Sequence, residues 1–324
     1  MMNDRIIMAI IVVLGVPAVM VAYVWLAEKL VGLLPEKQQG RWRPWLWVGP
    51  ALILLVIYLV YPALNTAFLS LYNNNSTRFV GLDNYAYFFT NPGTLVSLRN
   101  NALWLVFLTL LTVTFGLIFA VLFDRVRYES VAKAIIFLPM AISFVAAGII
   151  WKLMYDYQPA NRPQTGTLNA LVTSLGGDPV PWLVDRATNN PALIWVAIWM
   201  WTGFALVILS AGLKSIPEEI IEAARVDGAT EFQVLRQITI PMLGSTIAVV
   251  ATTMIINALK AFDIVYVMTN GNFNTDVIAN RMYKEMFNFN NFGRASAIAV
   301  VLLLAIIPVM LFNVRRFKEQ EAIR

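Results

Sequence analysis

Cysteine and histidine are both absent from the 324 residues, and charged side chains make up only 13% of them. Without cysteine there are no disulfides and no thiolate chemistry. Without either residue, Ser-His and Cys-His nucleophile pairs and His-ligated metal sites are excluded. An intramembrane hydrolase of the usual kinds therefore lacks its machinery. No GxxxxGK[ST] phosphate loop occurs, so that route to nucleotide hydrolysis is missing too. Internal repeats and low-complexity tracts are also lacking. No side chain is assigned a catalytic or metal-binding role.

What fills the chain is apolar. Hydrophobic residues reach 59%, against about 45–50% in a soluble domain. They fall in runs of roughly 20 residues, the length of a helix that crosses a ~30 Å hydrocarbon core. Seven spans are expected, over residues 6–27, 46–71, 101–123, 134–154, 193–213, 245–269 and 295–314. The first run continues past the ~7–15 residues of a signal-peptide core and is read as an uncleaved anchor. With the linker Gly40–Trp45 it forms an appendage, residues 1–45, ahead of one helical unit over residues 46–324.

Lysine and arginine set the orientation. One group of loops carries Lys29, Lys37, Arg41, Arg43, Arg125, Arg127, Lys133, Lys214, Arg225, Arg236, Arg315, Arg316, Lys318 and Arg324. The opposite group is sparser, with Arg5, Arg78, Arg99, Lys152, Arg162, Arg186, Arg281, Lys284 and Arg294 over more residues. The denser side is cytoplasmic, which puts the N-terminus outside and the C-terminus inside. The net charge of +5 reflects topology, and no nucleic-acid partner is implied.

One long charged stretch separates two spans on the cytoplasmic side, from Lys214 to Leu243. Ser215 and Glu218 have capping-box spacing, with Pro217 in the first turn. Ile216, Ile220, Ala223 and Ala224 share an apolar face. Asp227-Gly228 ends the helix, with glycine suited to a left-handed turn. Thr230 and Gln233 repeat the capping-box spacing. Phe232, Leu235 and Ile238 then form an apolar stripe, and Pro241 closes the unit. Such a face needs a cover, either a partner protein or the chain's own bundle.

Glu222-Ala223-Ala224, Asp227-Gly228-Ala229, Ile238 and Ile240-Pro241 together resemble the EAA loop of binding-protein-dependent ABC importer permeases. GLDNY from Gly81, LPMAIS around Pro139, GIIWKLMYDY from Gly148, GTLNAL from Gly166, FDIVYVMTNG from Phe262 and SAIAVV from Ser296 are similar to the maltose-type sugar-permease group. The resemblance spans roughly residues 46–317. Gly244 departs from it, where many sugar permeases have a second proline. So does NGNFNTD at Asn270–Asp276, where many relatives turn on Gly-Gly-Pro. The second departure leaves the sugar and the external docking surface open.

The resemblance implies an all-α polytopic membrane bundle of six core helices plus one extra N-terminal helix, with a cytoplasmic coupling-helix loop. It implies an inner-membrane permease subunit for a carbohydrate: an oligosaccharide, an α-glucoside or a sugar-like compatible solute. Its partners would be a second permease, two ATPase subunits that use ATP and magnesium, and an extracytoplasmic solute-binding protein. No cofactor would bind this chain. Glu222, Ala223, Ala224, Asp227, Gly228, Ala229, Phe232, Leu235 and Pro241 would couple to the ATPase. Rival readings are a permease for a polyamine or other small solute, a standalone ion-coupled carrier with paired broken-helix halves, and a receptor or scaffold.

The substrate path is expected along the span 245–269. Asn257, Lys260 and Asp263 are its polar groups, and Lys260 and Asp263 are spaced to share a helical face and pair. Each charge costs ~2.5–3.5 kcal/mol at the bilayer centre, so a cavity is one explanation. A snorkelling lysine and an interfacial aspartate are the other. Trp195, Trp199, Trp201, Phe262 and Tyr266 suit stacking on sugar faces, or an interfacial belt.

Overall fold

In a computed structural model the backbone is described for residues 2–124 and 126–322, and side chains for Met8, 11–124 and 126–311. Arg125 and Arg324 therefore lie outside the described residues, and Arg5, Arg315, Arg316 and Lys318 outside the described side chains. Among the described residues there is no strand, only one antiparallel bridge between Tyr72 and Phe79. The chain divides into two units, residues 1–66 and 67–324.

The first unit is a helical hairpin. Helix α1 (Met2–Gly32) is followed by α2 (Glu36–Leu55), which runs through a π-helical turn (Val56–Val60) into α3 (Tyr61–Leu69). Arg43 Nη2 meets Glu28 Oε2 at 2.6 Å, and Trp47 Nε1 donates to Glu28 Oε1 at 3.0 Å. These bonds tie the two helices at one end. Ala27 and Val31 are buried near these bonds, and most of the remaining apolar surface is exposed, as expected of helices solvated by lipid tails.

The second unit begins with short α4 (Asp83–Thr90) and long α5 (Pro92–Phe123). Asn91 starts α5, its side chain accepting from the Gly93 N–H at 2.9 Å, with Pro92 in the first turn where no N–H is needed. Ser97, Asn101, Trp104, Leu108, Thr112, Gly116 and Ala120 recur every three or four residues and are buried. That stripe packs along α9. Gly116 permits the closest approach: a Cβ there would lie 2.5 Å from the Ala205 Cβ.

Helix α6 (Glu129–Phe137) passes through a 3₁₀ turn (Leu138–Ala141) into α7 (Phe144–Met154). The span expected as one rod over 134–154 is instead bent by 99°. Pro139 sits in the turn, and Ser143 caps the new helix by accepting from the Ala146 N–H at 3.1 Å. Short α8 (Thr167–Ser174) precedes α9 (Asn189–Leu213), apolar all round and the most buried of the long helices.

Beyond α9 come α10 (Glu218–Val226), α11 (Glu231–Val234), a π turn (Leu235–Thr239), α12 (Ile240–Met242), α13 (Gly244–Leu259), α14 (Asp263–Met268), α15 (Ile278–Tyr283), a second π turn (Lys284–Asn288) and α16 (Phe292–Ala322). The α11–α12 segment meets α13 at 70°. Helix α13 packs on both α5 and α9, so the core is a bundle of these three with α7 and α14 against one end. Five helices among the described residues are long and apolar enough to cross a membrane, and seven if each bent pair is one span.

Candidate functional site

The loop between α9 and α13 folds as two helices joined by a tight turn. Helix α10 does not use the expected Ser215 box. Pro217 stands at its N-cap without a side-chain bond, and Ser215 Oγ donates backwards to the Gly212 carbonyl at 2.7 Å. The C-terminus of α10 does form as expected. Gly228 has φ +83°, its N–H reaches the Arg225 carbonyl at 3.0 Å, and the Ala229 N–H reaches the Ala224 carbonyl at 3.0 Å. These paired bonds are a Schellman motif. Thr230 and Gln233 close a reciprocal capping box: the Thr230 N–H donates to Gln233 Oε1 at 2.7 Å and the Gln233 N–H to Thr230 Oγ1 at 3.3 Å. Arg225 crosses the turn to Glu231 with Nε–Oε1 at 2.9 Å.

This turn presents an unusual surface. Glu222, Ala223 and Asp227 are exposed, while Ala224, Ala229 and Leu235 are half-buried. Val226 and Phe232 are 87% and 69% exposed. The buried anchors are Ile216, Val234, Thr239 and Leu243. Phe232 thus points away from the fold, and Val234 does the packing expected of the Phe232 stripe. Pro241 closes the segment as expected, one residue before α12 stops at Met242 and the chain turns 70° into α13. It lies inside α12, directly after the π turn, whose i→i+5 bonding accommodates a residue without an N–H.

The second feature is a cavity of about 180 Å³ between α5, α7, α9 and the α13–α14 junction. Trp201, Asn257, Lys260, Phe262 and Asp263 line it, together with Trp104, Leu108 and Phe144, which sequence reasoning had not picked out. Tyr266 stands outside the lining and stacks on Phe262 with ring centroids 5.2 Å apart. Asn257 is partly spent, its Nδ2 donating to the Thr253 carbonyl at 2.9 Å. The indole N–H of Trp104 is buried with no partner among the described residues.

Lys260 and Asp263 do not share a helical face. Helix α13 stops at Leu259, Lys260 and Phe262 have non-helical backbone, and Asp263 opens α14. Both side chains are exposed, and no ion pair joins them. The break frees backbone carbonyls, and Asn101 of α5 meets them: its Nδ2 donates to the Ala258 carbonyl at 3.1 Å. Its Oδ1 accepts from the Ile278 N–H at 2.7 Å. Neighbouring Asn100 donates to the carbonyls of Asn274 and Asp276 at 2.7 and 2.8 Å, and Asn189 to that of Phe273 at 2.8 Å. These asparagines fasten the 270–278 segment to α5 and α9. The only hint in the sequence was asparagine at the ends of two apolar helices.

Comparison with known proteins places this geometry. Residues 112–316 match the family of binding-protein-dependent transport system inner membrane components. The chain belongs to that family. Members similar to it include the osmoprotective compounds uptake permease protein GgtC of Synechocystis sp., 59% identical over 86% of this chain and 100% of the relative. The alpha-glucoside transport system permease protein AglF of Rhizobium meliloti is 48% identical over 84% of this chain and 82% of the relative. A chain of a bacterial ABC transporter involved in alginate import has the same fold, with a TM-score of 0.73 over 86% of this chain and 98% of that one at 23% identity. In this family member, the turn at Gly228 and the Asn257–Ile264 wall of the cavity fall inside the matched residues, while Trp104 and Leu108 precede them.

Proposed function

We propose that this permease is the membrane-spanning subunit of an ATP-binding-cassette importer that moves an α-glucoside or a sugar-like compatible solute inward. The observation that carries the reading is 59% identity along the whole length of an osmoprotectant permease, with an α-glucoside permease at 48%. The α10–α11 turn is the coupling element. Its exposed Val226 and Phe232 fill an apolar cleft on a separate ATPase, and Glu222 takes a charge-assisted bond from a basic group there. Ala223, Ala224, Asp227, Ala229, Leu235 and Pro241 shape that element. ATP and magnesium are used by the ATPase, and this subunit catalyses nothing itself. The lysine and arginine distribution supports an inner-membrane orientation with the N-terminus outside and the C-terminus cytoplasmic.

The cavity beside the α13–α14 break is the substrate contact of this subunit. Unwound backbone at membrane depth is tolerated where it lines a cavity, and Asn257, Lys260 and Asp263 are the polar residues of its lining. At about 180 Å³ the cavity is smaller than the ~300–1,000 Å³ of sites that enclose a ligand. A second permease supplies the missing wall, and an extracytoplasmic binding protein delivers the sugar.

The test is uptake of radiolabelled α-glucosides and sugar-like compatible solutes into proteoliposomes holding the complete complex. Uptake that needs ATP and loaded binding protein is the expected result. Uptake without nucleotide would point to a standalone carrier, and competition by polyamines alone would replace the cargo.

A further inference from the structure

Four aromatic rings run in unbroken contact away from the cavity. Phe262, in the cavity lining, stacks on Tyr266 with centroids 5.2 Å apart. Tyr266 meets Tyr283 edge-on at 5.1 Å, and Tyr283 also meets Phe262 at 5.5 Å, so the inner three rings form one cluster. Tyr283 meets Phe287 at 4.8 Å. They come from three places in the chain: the α13–α14 break, α14, and α15 with its π turn. The π turn places Phe287 against Tyr283, and such turns recur at functional sites.

The series is neither a core nor an ordinary belt. Its outermost ring is the most exposed: Phe262 and Tyr283 are half-buried, Tyr266 is 38% exposed and Phe287 61%. The turn that carries its outer end also carries buried Glu285, bonded to Arg281 at 2.7 Å, and Lys284, 3.5 Å from Asp276. The two phenol oxygens are 3.5 Å apart and share at most one hydrogen bond, leaving acceptor capacity on both and a free O–H on at least one. Apolar faces edged by hydroxyls suit a pyranose ring, which has a C–H face and a rim of hydroxyls.

We infer that Phe262, Tyr266, Tyr283 and Phe287 form a stacking track along which the sugar rings of the cargo pass between the 270–294 segment and the cavity. The inference rests on the sugar-importer reading. It requires no net bond-making. Each ring offers a shallow binding step that replaces part of the sugar's hydration, so no single step traps it.

The experiment uses the complete complex in proteoliposomes with sugar-loaded binding protein, and measures sugar uptake and stimulated ATP hydrolysis side by side. Tyr266→Leu and Tyr283→Leu keep apolar bulk and remove the ring. Each is expected to slow uptake about fivefold while hydrolysis falls by less than about twofold, the size expected for one lost stacking contact. Tyr283→Phe keeps the ring and more than about half the uptake. Phe287→Leu changes a surface side chain that folding does not need, and slows uptake about threefold. Wild-type uptake in Phe287→Leu overturns the track, and so does a proportional loss of uptake and hydrolysis in the tyrosine variants. If the wild-type complex carries no sugar, the importer reading fails instead.

Discussion

Asn101 donates its side-chain amide to the Ala258 carbonyl at 3.1 Å, across 157 residues of sequence. Its Oδ1 simultaneously accepts the Ile278 N–H, so one side chain fixes both the end of α13 and the start of α15. Asn101→Ala leaves the buried Ile278 N–H unpaired and removes one of the two donors to the Ala258 carbonyl, which keeps the Ala261 N–H at 3.2 Å. We expect a loss of about 2–3 kcal/mol, seen as a fall of roughly 5–10 °C in the melting midpoint in detergent. An unchanged midpoint would show that the junction is held elsewhere.

Gly228 has φ +83°, yet nothing lies within 4 Å of where its Cβ would be. Aspartate tolerates the left-handed conformation better than most residues. Gly228→Asp should therefore reach the membrane at close to normal level. Uptake is expected to fall at least about tenfold, because the added side chain meets only a docked partner; that ratio corresponds to about 1.4 kcal/mol of lost coupling. Normal uptake would move the coupling surface away from this turn.

Gly116 offers a contrasting case, with its neighbour inside the chain. Gly116→Ala places a methyl 2.5 Å from the Ala205 Cβ and 3.0 Å from the Ala205 carbonyl carbon. Overpacking of this kind costs about 1–3 kcal/mol. Thermal unfolding should show the loss, and Gly116→Ala with Ala205→Gly should regain most of it. Failure of the double variant to recover would mean that the backbone contact dominates.

Burial holds the Asp276 carboxyl above the ordinary aspartate range, against the pull of Asn280, Lys284 and Arg281. The folded state thus binds this proton more tightly than the unfolded chain does. Its contribution to stability is lost as pH rises from about 4 through the raised value. Asp276→Asn keeps an acceptor for the Asn280 amide, now 2.6 Å from Asp276 Oδ1, and removes the titration. The melting midpoint of the variant relative to wild type should therefore be higher at about pH 7 than at about pH 4.5. A difference that is flat with pH would exclude Asp276 as the source.

Local signals were legible where they were complete within a few residues. Thr230 with Gln233 and Gly228 after Asp227 needed no distant neighbour, and both formed as read. Ser215 with Glu218 had the same spacing, but Pro217 took the N-cap and the Ser215 hydroxyl turned to Gly212. The break after Leu259 was hidden because the residues around it keep a helical apolar period. Asn101, far away in sequence, adds a donor to the Ala258 carbonyl beside the local Ala261 N–H. The bend at Pro139 had its proline and its Ser143 cap in view, masked by apolar residues on both sides. Membrane class and family were readable from composition and from the 222–241 pattern. Tyr283 and Phe287 were not, because nothing in a loop sequence says that its rings will reach Phe262.

Val226 and Phe232 are largely exposed on a turn that the rest of the chain does little to cover. On the proposed reading a docked ATPase would cover both side chains, so their exposure is a feature of the subunit taken alone.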